Sequence, residues 1–273
     1  MFKNYLKIAW RHLLRDKTTS IINIFGLAVA LAVAILIGLY IHHEWNYDNW
    51  YETEDELYRV YRSWDGKDQN WVWTPGLLSS TLAAELPEVK SATYMGPLDE
   101  VLLTLGTKKL YIDQAVFVDS TFFQTLPFPF QAGNPITVLD APNAIVLTPP
   151  IAKQFFGEEN PIGKTLLLNG TEPRLVTGIV QQGGNTHLDL KVYLRQHFST
   201  FGWLNNSYST YVRLHPNTEV ATLAQKMKPL VNPFFEQAYK ESGYEYSQGE
   251  LSNWALQPIE EIYLNSQNFV RKN

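Results

Sequence analysis

No charged residue interrupts the chain from Thr18 to Ile41, and within that window Ile21–Ile41 holds one strongly polar side chain, Asn23. As an α-helix, 21 residues at 1.5 Å each span about 31 Å, close to the roughly 30 Å hydrocarbon core of a bilayer. A soluble core helix keeps a polar face over that many turns. A cleaved signal peptide has an apolar stretch of roughly 7–15 residues before a small-residue cleavage site. Here the stretch is longer and runs into Gly-Leu-Tyr-Ile-His-His. Residues 18–43 are therefore predicted to form an uncleaved transmembrane helix. Before it, Lys3, Lys7, Arg11 and Arg15 recur every fourth residue. Phe2, Tyr5, Leu6, Ala9, Leu13 and Leu14 take the opposite side, with Trp10 at the border. Residues 1–17 thus read as a basic amphipathic helix suited to an anionic membrane surface.

The periodicity changes after residue 44. Leu57–Ser63, LYRVYRS, alternates as a strand. Thr74-Pro75 opens a helical pattern that places Leu77, Leu78, Leu82 and Leu86 on one face and stops at Pro87; Lys90–Met95 then reads as a strand. A similar succession follows later: strand Tyr208–Leu214, turn His215-Pro216-Asn217, helix Glu219–Val231, strand Asn253–Pro258. Between the two lie short apolar runs bounded by turn residues: Val101–Leu105, Lys109–Val118, Ala144–Leu147, Thr165–Leu168 and Leu175–Val180. Two short helices, near Ser120–Thr125 and Pro150–Phe156, interrupt them. The fold class expected is α+β: one amino-terminal transmembrane helix, an α/β subdomain of residues 44–98 and 186–273, and a β-rich subdomain of residues 99–185 inserted into it.

Charge adds an orientation. Residues 1–43 carry Lys3, Lys7, Arg11, Arg15 and Lys17 against Asp16 alone, which leaves 17 basic and 26 acidic groups for residues 44–273. Basic residues flank the cytoplasmic side of membrane helices, so the amino terminus is expected inside and residues 44–273 outside. Lys3, Lys7, Arg11, Arg15 and Lys17 are the expected contacts with the membrane surface. Trp45, Tyr47, Trp50 and Tyr51 suit the outer interfacial belt of aromatic residues. The acidic bulk argues against nucleic acid as a partner, since phosphate neutralisation supplies most of that affinity. With no cysteine, a disulfide framework, a thiolate metal site and a cysteine nucleophile are excluded.

Candidate chemistry is sparse. FGEENPIGKT, residues 156–165, ends like a phosphate-binding loop, but Gly157 and Gly163 enclose five residues where the Walker A pattern has four. Glu158 and Glu159 would repel a triphosphate, and the TLLL that follows is strand-like where a helix is required. A surface turn leading into a strand is expected. His43-Glu44-Trp45-Asn46-Tyr47 opens like a zinc-protease motif and places Tyr47 where the second histidine belongs; His42 and His43 read as the end of the membrane helix. His187 lies near Asp189 without a nucleophile and reads as a structural hydrogen-bonder. Asp119 reads as a helix N-cap. No catalytic constellation, cofactor or metal site emerges.

Several stretches resemble the MacB/FtsX-like ABC transporter permeases and their MacB-type periplasmic core domain. INIFGLA in the first helix, YDNW after it and ELYRVYR are similar to the opening of such permeases. VFVDSTFFQTLPFPFQAGNP, NAIVLTPPIAKQFFGEENPIGKTL and VTGIVQQGGNTHLDL resemble core-domain signatures, and YSTYVRLHPN and LQPIEEIYL its closing segments. The resemblance implies a porter-like α/β subdomain with an inserted β-rich subdomain, outside a bacterial inner membrane. It also implies a non-enzymatic role: coupling of cytoplasmic ATP hydrolysis to export or to mechanical transmission. The partners implied are a separate ABC ATPase subunit, a second permease protomer, membrane lipid and a periplasmic protein. Such permeases continue into three further membrane helices, so the resemblance implies the amino-terminal portion of one. Within it, Val101–Val180 is the expected region of partner contact. A membrane-anchored sensor or ligand-binding domain is the alternative reading; an anchored hydrolase would need a catalytic cluster built around His187.

Overall fold

The computed structural model describes residues 4, 5, 8, 10, 11, 15, 17–45, 56–64, 69–181, 186–196, 202–243, 252–265 and 269–270. The chain falls into two compact units, Met1–Asn46 and Tyr47–Asn273.

In the first unit, α1 spans Lys17–Trp45. Nothing breaks it: proline is absent, Gly26 and Gly38 are single, and the remainder is mostly Ala, Leu, Ile and Val. Its side chains from Ile21 to Ile41 are all exposed. Asn4, Tyr5, Ile8, Trp10, Arg11 and Arg15 are also helical.

The second unit is built on strands β1 Leu57–Ser63, β2 Asn70–Trp71, β3 Thr74–Pro75, β4 Val89–Pro97, β5 Val101–Leu105, β6 Lys108–Ile112, β7 Ala115–Val118, β8 Phe130–Ala132, β9 Ala144–Leu147, β10 Thr165–Leu168, β11 Glu172–Val180, β12 Val192–Arg195, β13 Asn206–Leu214, β14 Asn253–Pro258 and β15 Phe269–Val270. The helices are α2 Leu77–Glu85, α3 Phe122–Thr125, α4 Pro149–Phe156, α5 Val220–Ser242 and α6 Glu261–Leu264. The strands join edge to edge in the order β15-β2-β1-β13-β4-β7-β12-β9-β11-β10-β5-β6, with β14 also on β1, β3 on β13 and β8 on β11.

Three cores cover this sheet. Leu78 and Leu82 of α2 and Leu223, Met227, Val231 and Phe235 of α5 pack on Val60, Ala92, Val212 and Trp254. A central core gathers Phe122, Phe123, Phe128 and Tyr193 with Leu57, Val116, Val118 and Val146. A third sets Ile151, Ala152, Phe155 and Phe156 of α4 against β5, β9, β10, β11 and β12. Strand β12 lies between β7, to which it is parallel, and β9, to which it is antiparallel.

Several elements differ from the sequence expectation. Lys109–Val118 is two strands, because the chain bends at Asp113-Gln114 and β6 pairs with β5 while β7 pairs with β4 and β12. Thr74-Pro75 pairs with β13, and the helix starts only at Leu77. Helix α5 runs on through Pro229 and Pro233 to Ser242. Both prolines are exposed, and so is Gln225, whose carbonyl loses the amide of residue 229. The carbonyls that lose a donor thus lie on the solvent face, while Val231 and Phe235 hold the other face in the core.

Candidate functional site

The helix α1 is the first candidate. At 29 residues it is about 43 Å long, more than a hydrocarbon core requires. An apolar segment with no packed face has its surface compatible only with lipid or with other apolar helices. Arg11, Arg15 and Lys17 are exposed, and Trp45 ends the helix. Lys3, Lys7, Tyr47, Trp50 and Tyr51 lie outside the described residues.

A second feature sits where β4 passes from one core to the next. Ala92 belongs to the core under α2 and α5, whereas Met95 packs on the central one. Asp119, just after β7, grips this crossing. Its Oδ1 accepts the Thr93 hydroxyl at 2.5 Å and the Thr121 amide at 3.1 Å. The Thr121 hydroxyl stands 2.9 Å from the same oxygen and 2.8 Å from the Ala92 carbonyl, so its one proton serves both. The amide of Tyr94 donates to the carboxylate as well. Asp119 was expected to cap the short helix; the cap position belongs to Thr121, and Asp119 holds that residue from two positions earlier. Burial outweighs these donors and pushes the carboxyl up to about 6. The Tyr94 phenol is raised too, by burial and then by the Asp119 charge. Arg195 donates to the Leu139 and Gln196 carbonyls beside it. Together with Ser79, Ser80 and Ala83 of α2, Asp119 and Arg195 line an open cleft of about 590 Å³.

Two arginines of β1 are buried, Arg59 at 3% and Arg62 at 7% exposure. Arg59 donates to Gln257 Oε1 at 2.5 Å and lies over the Phe269 ring. Arg62 donates to Ser252 Oγ at 2.7 Å and Asn206 Oδ1 at 2.8 Å, and it faces the rings of Trp64, Phe235 and Trp254 at 5.0–5.5 Å. Burial lowers its guanidinium to about 10. Neutral oxygens and ring faces solvate this cation. In LYRVYRS the two arginines, three positions apart, point to opposite faces of the strand. Residues remote in sequence meet each one: Gln257 and Phe269 at Arg59, and Asn206, Phe235, Ser252 and Trp254 at Arg62.

The FGEENPIGKT stretch forms two turns into β10, with Gly157 at φ 63° and Gly163 at φ 81°. Its amides are engaged internally: Gly163 N–H with the Val176 carbonyl at 2.8 Å, Lys164 N–H with Pro161 at 3.1 Å, and Ile162 N–H with Asn160 Oδ1 at 3.0 Å. Lys164 pairs with Glu159 and lies over the Phe156 ring. The loop amides that would face a phosphate are thus spent on the sheet and on the turn itself. His187 bonds the Tyr211 hydroxyl at 3.0 Å, a structural contact. Among the described residues, no group of His, Asp or Glu side chains could hold a metal ion.

Residues 20–230 match the family described as the MacB-like periplasmic core domain. Among solved structures, a domain of a provisionally assigned permease from Porphyromonas gingivalis is similar at TM-score 0.59 and 16% identity, covering 76% of this chain and 92% of that one. The periplasmic region of MacB from Actinobacillus actinomycetemcomitans is similar at TM-score 0.50 and 16% identity, covering 80% and 96%. The extracellular domain of the ABC-type transporter YknZ from Gram-positive bacteria gives TM-score 0.48 and 14% identity, covering 74% and 99%. At these identities the likeness concerns the fold. No curated protein matches the sequence.

Proposed function

Because the chain belongs to the family of MacB-like periplasmic core domains, we propose that residues 44–273 stand outside a bacterial cytoplasmic membrane as the coupling domain of an ABC transporter permease. The observation that carries this reading is a long, exposed apolar helix at the start of the stretch that matches that family. In this reading α1 anchors the chain with its amino terminus inside. Lys3, Lys7, Arg11, Arg15 and Lys17 meet the anionic inner leaflet. Trp45, Tyr47, Trp50 and Tyr51 sit at the outer interface.

ATP hydrolysis falls to a separate cytoplasmic ATPase, and a second permease protomer completes the pair; this chain catalyses no reaction and needs no cofactor. Residues 44–98 and 186–273 form the porter-like lobe that transmits movement. Residues 99–185 form the lobe that meets a periplasmic partner. Strands β4 and β12 tie the two lobes, so a displacement of one is felt by the other.

The absence of native cysteine makes the test clean. Single cysteines replace Ile136, which is 62% exposed, and Ile8. In spheroplasts a membrane-impermeant maleimide labels the cysteine at 136, and labels that at 8 only after lysis. The opposite pattern overturns the orientation. Coupling is tested separately by the ATPase rate of the assembled transporter, which changes when a bulky maleimide is attached to the exposed cysteine at 136 and stays constant if the proposal is wrong.

A further inference from the structure

The sheet ends at β6, and one side of Lys108–Ile112 has no strand beside it among the described residues. The hairpin determines which groups face that side. Gly106-Thr107 is a two-residue connection with Gly106 at φ 58°, so Leu105 and Lys108 close it as a hydrogen-bonded pair. Bonded and non-bonded pairs then alternate, and Leu102–Tyr111 and Thr104–Lys109 are the non-bonded ones. Leu102 agrees: its N–H goes to Asn169 Oδ1 at 3.1 Å and its carbonyl accepts the Asn169 N–H at 2.8 Å, both away from β6. Lys109 and Tyr111 therefore aim an N–H and a carbonyl each out of the sheet.

Beside this edge runs an open cleft of about 530 Å³ between β6 and the start of α4, with Tyr111, Ile112, Pro150, Gln154, Asp189 and Lys191 among its walls, the Asp189 carboxylate accepting the Gln114 side-chain amide. Lys108 reaches the Gln154 carbonyl and holds β6 next to that helix. The combination is one side of a strand-addition site: free backbone groups on an edge, with a slot to receive alternate side chains. The edge itself is basic. Lys108 and Lys109 are adjacent and exposed, and Lys109 pairs with no carboxylate among the described residues. Two lysines on an edge repel the same edge of a second copy, which leaves an acidic strand as the complementary occupant.

We infer that the outer edge of β6 takes an extended, acidic segment of a partner polypeptide as an added strand, with alternate side chains entering the cleft beside α4. The inference rests on the reading of residues 101–180 as the partner-facing part and gives it a mode and a charge.

The test pans a random phage-displayed octapeptide library on the full chain in detergent micelles. Enriched peptides carry Asp or Glu among alternating apolar residues, and binding slows exchange of the Lys109 and Tyr111 amides. Tyr111→Pro removes one outward N–H without touching the β5–β6 ladder, and weakens binding about tenfold, the loss of one such bond. Lys109→Glu changes an exposed side chain, leaves the Lys108–Gln154 contact in place and shifts the preference away from acidic peptides. No enrichment, neutral or basic consensus peptides on the unmodified chain, or unchanged binding by both variants overturns the inference. Protection elsewhere within residues 101–180 overturns the edge-strand mode while keeping that region as the contact.

Discussion

Replacing Asp119 by Asn tests the balance at the β4 crossing. The carboxyl is raised from an ordinary 3.8 to about 6 because burial outweighs the donors of Thr93, Thr121 and Tyr94. A raised acid stabilises the fold below its unfolded value and loses that contribution as pH rises through its folded value. The window is therefore pH 3.8 to about 6. At 1.36 kcal/mol per pH unit, the contribution lost across it is about 3 kcal/mol. Asp119→Asn keeps the shape and removes the titration. The informative quantity is the unfolding free energy of wild type minus variant, taken from urea titrations followed by tryptophan fluorescence at intervals from pH 4 to 7.5. The other carboxylates cancel in that difference. It should fall by about 3 kcal/mol from low to high pH. A flat difference means that the donors offset burial, and a rising one means that they exceed it; either refutes the reasoning.

Arg62→Met keeps much of the volume but leaves the buried Ser252 and Asn206 oxygens without their donor; a loss of about 2–4 kcal/mol in thermal or urea unfolding is expected. Gly178→Ala places a Cβ 2.4 Å from Val138 Cγ2 and 3.0 Å from Phe130 Cε1, and overpacking of this kind costs about 1–3 kcal/mol in the same measurement. Pro233→Ala restores an amide inside α5 on its exposed face, so it should stabilise by up to about 3 kcal/mol and slow amide exchange in the last turns of that helix.

The sequence made some parts of this molecule legible because their causes are local. Leu57–Ser63, Val101–Leu105, Ala144–Leu147, Thr165–Leu168 and Asn253–Pro258 have the bounds their alternation and flanking turn residues predict. The long apolar helix α1 is equally legible, since its composition alone marks it. What escaped depends on distant residues. Nothing near Asp113-Gln114 announces that β6 and β7 will choose different partners. The expected helix ended at Val231, just before Pro233, and the packing of Phe235 on the sheet carries α5 past that proline. The setting of Asp119 needs Thr93, on a strand 26 residues earlier in the chain, and Tyr94 beside it. The burial of Arg59 and Arg62 needs Ser252 and Gln257, 190 and 198 residues on, which β14 brings alongside β1.

That closure has a mechanical meaning. Strand β1 is held by β14 over the six residues Tyr58–Ser63 and by β13 over Leu57–Arg59, antiparallel on both sides. The bonds of antiparallel pairs lie across the strands. A pull along β1 therefore loads them side by side, in shear, and they share the force. A pull at the outer hairpin of β5 and β6 instead opens bonds one after another. Within the second unit, β1 is thus the stiff strand and the β5–β6 hairpin the compliant edge, so force spreads through the first and peels the second.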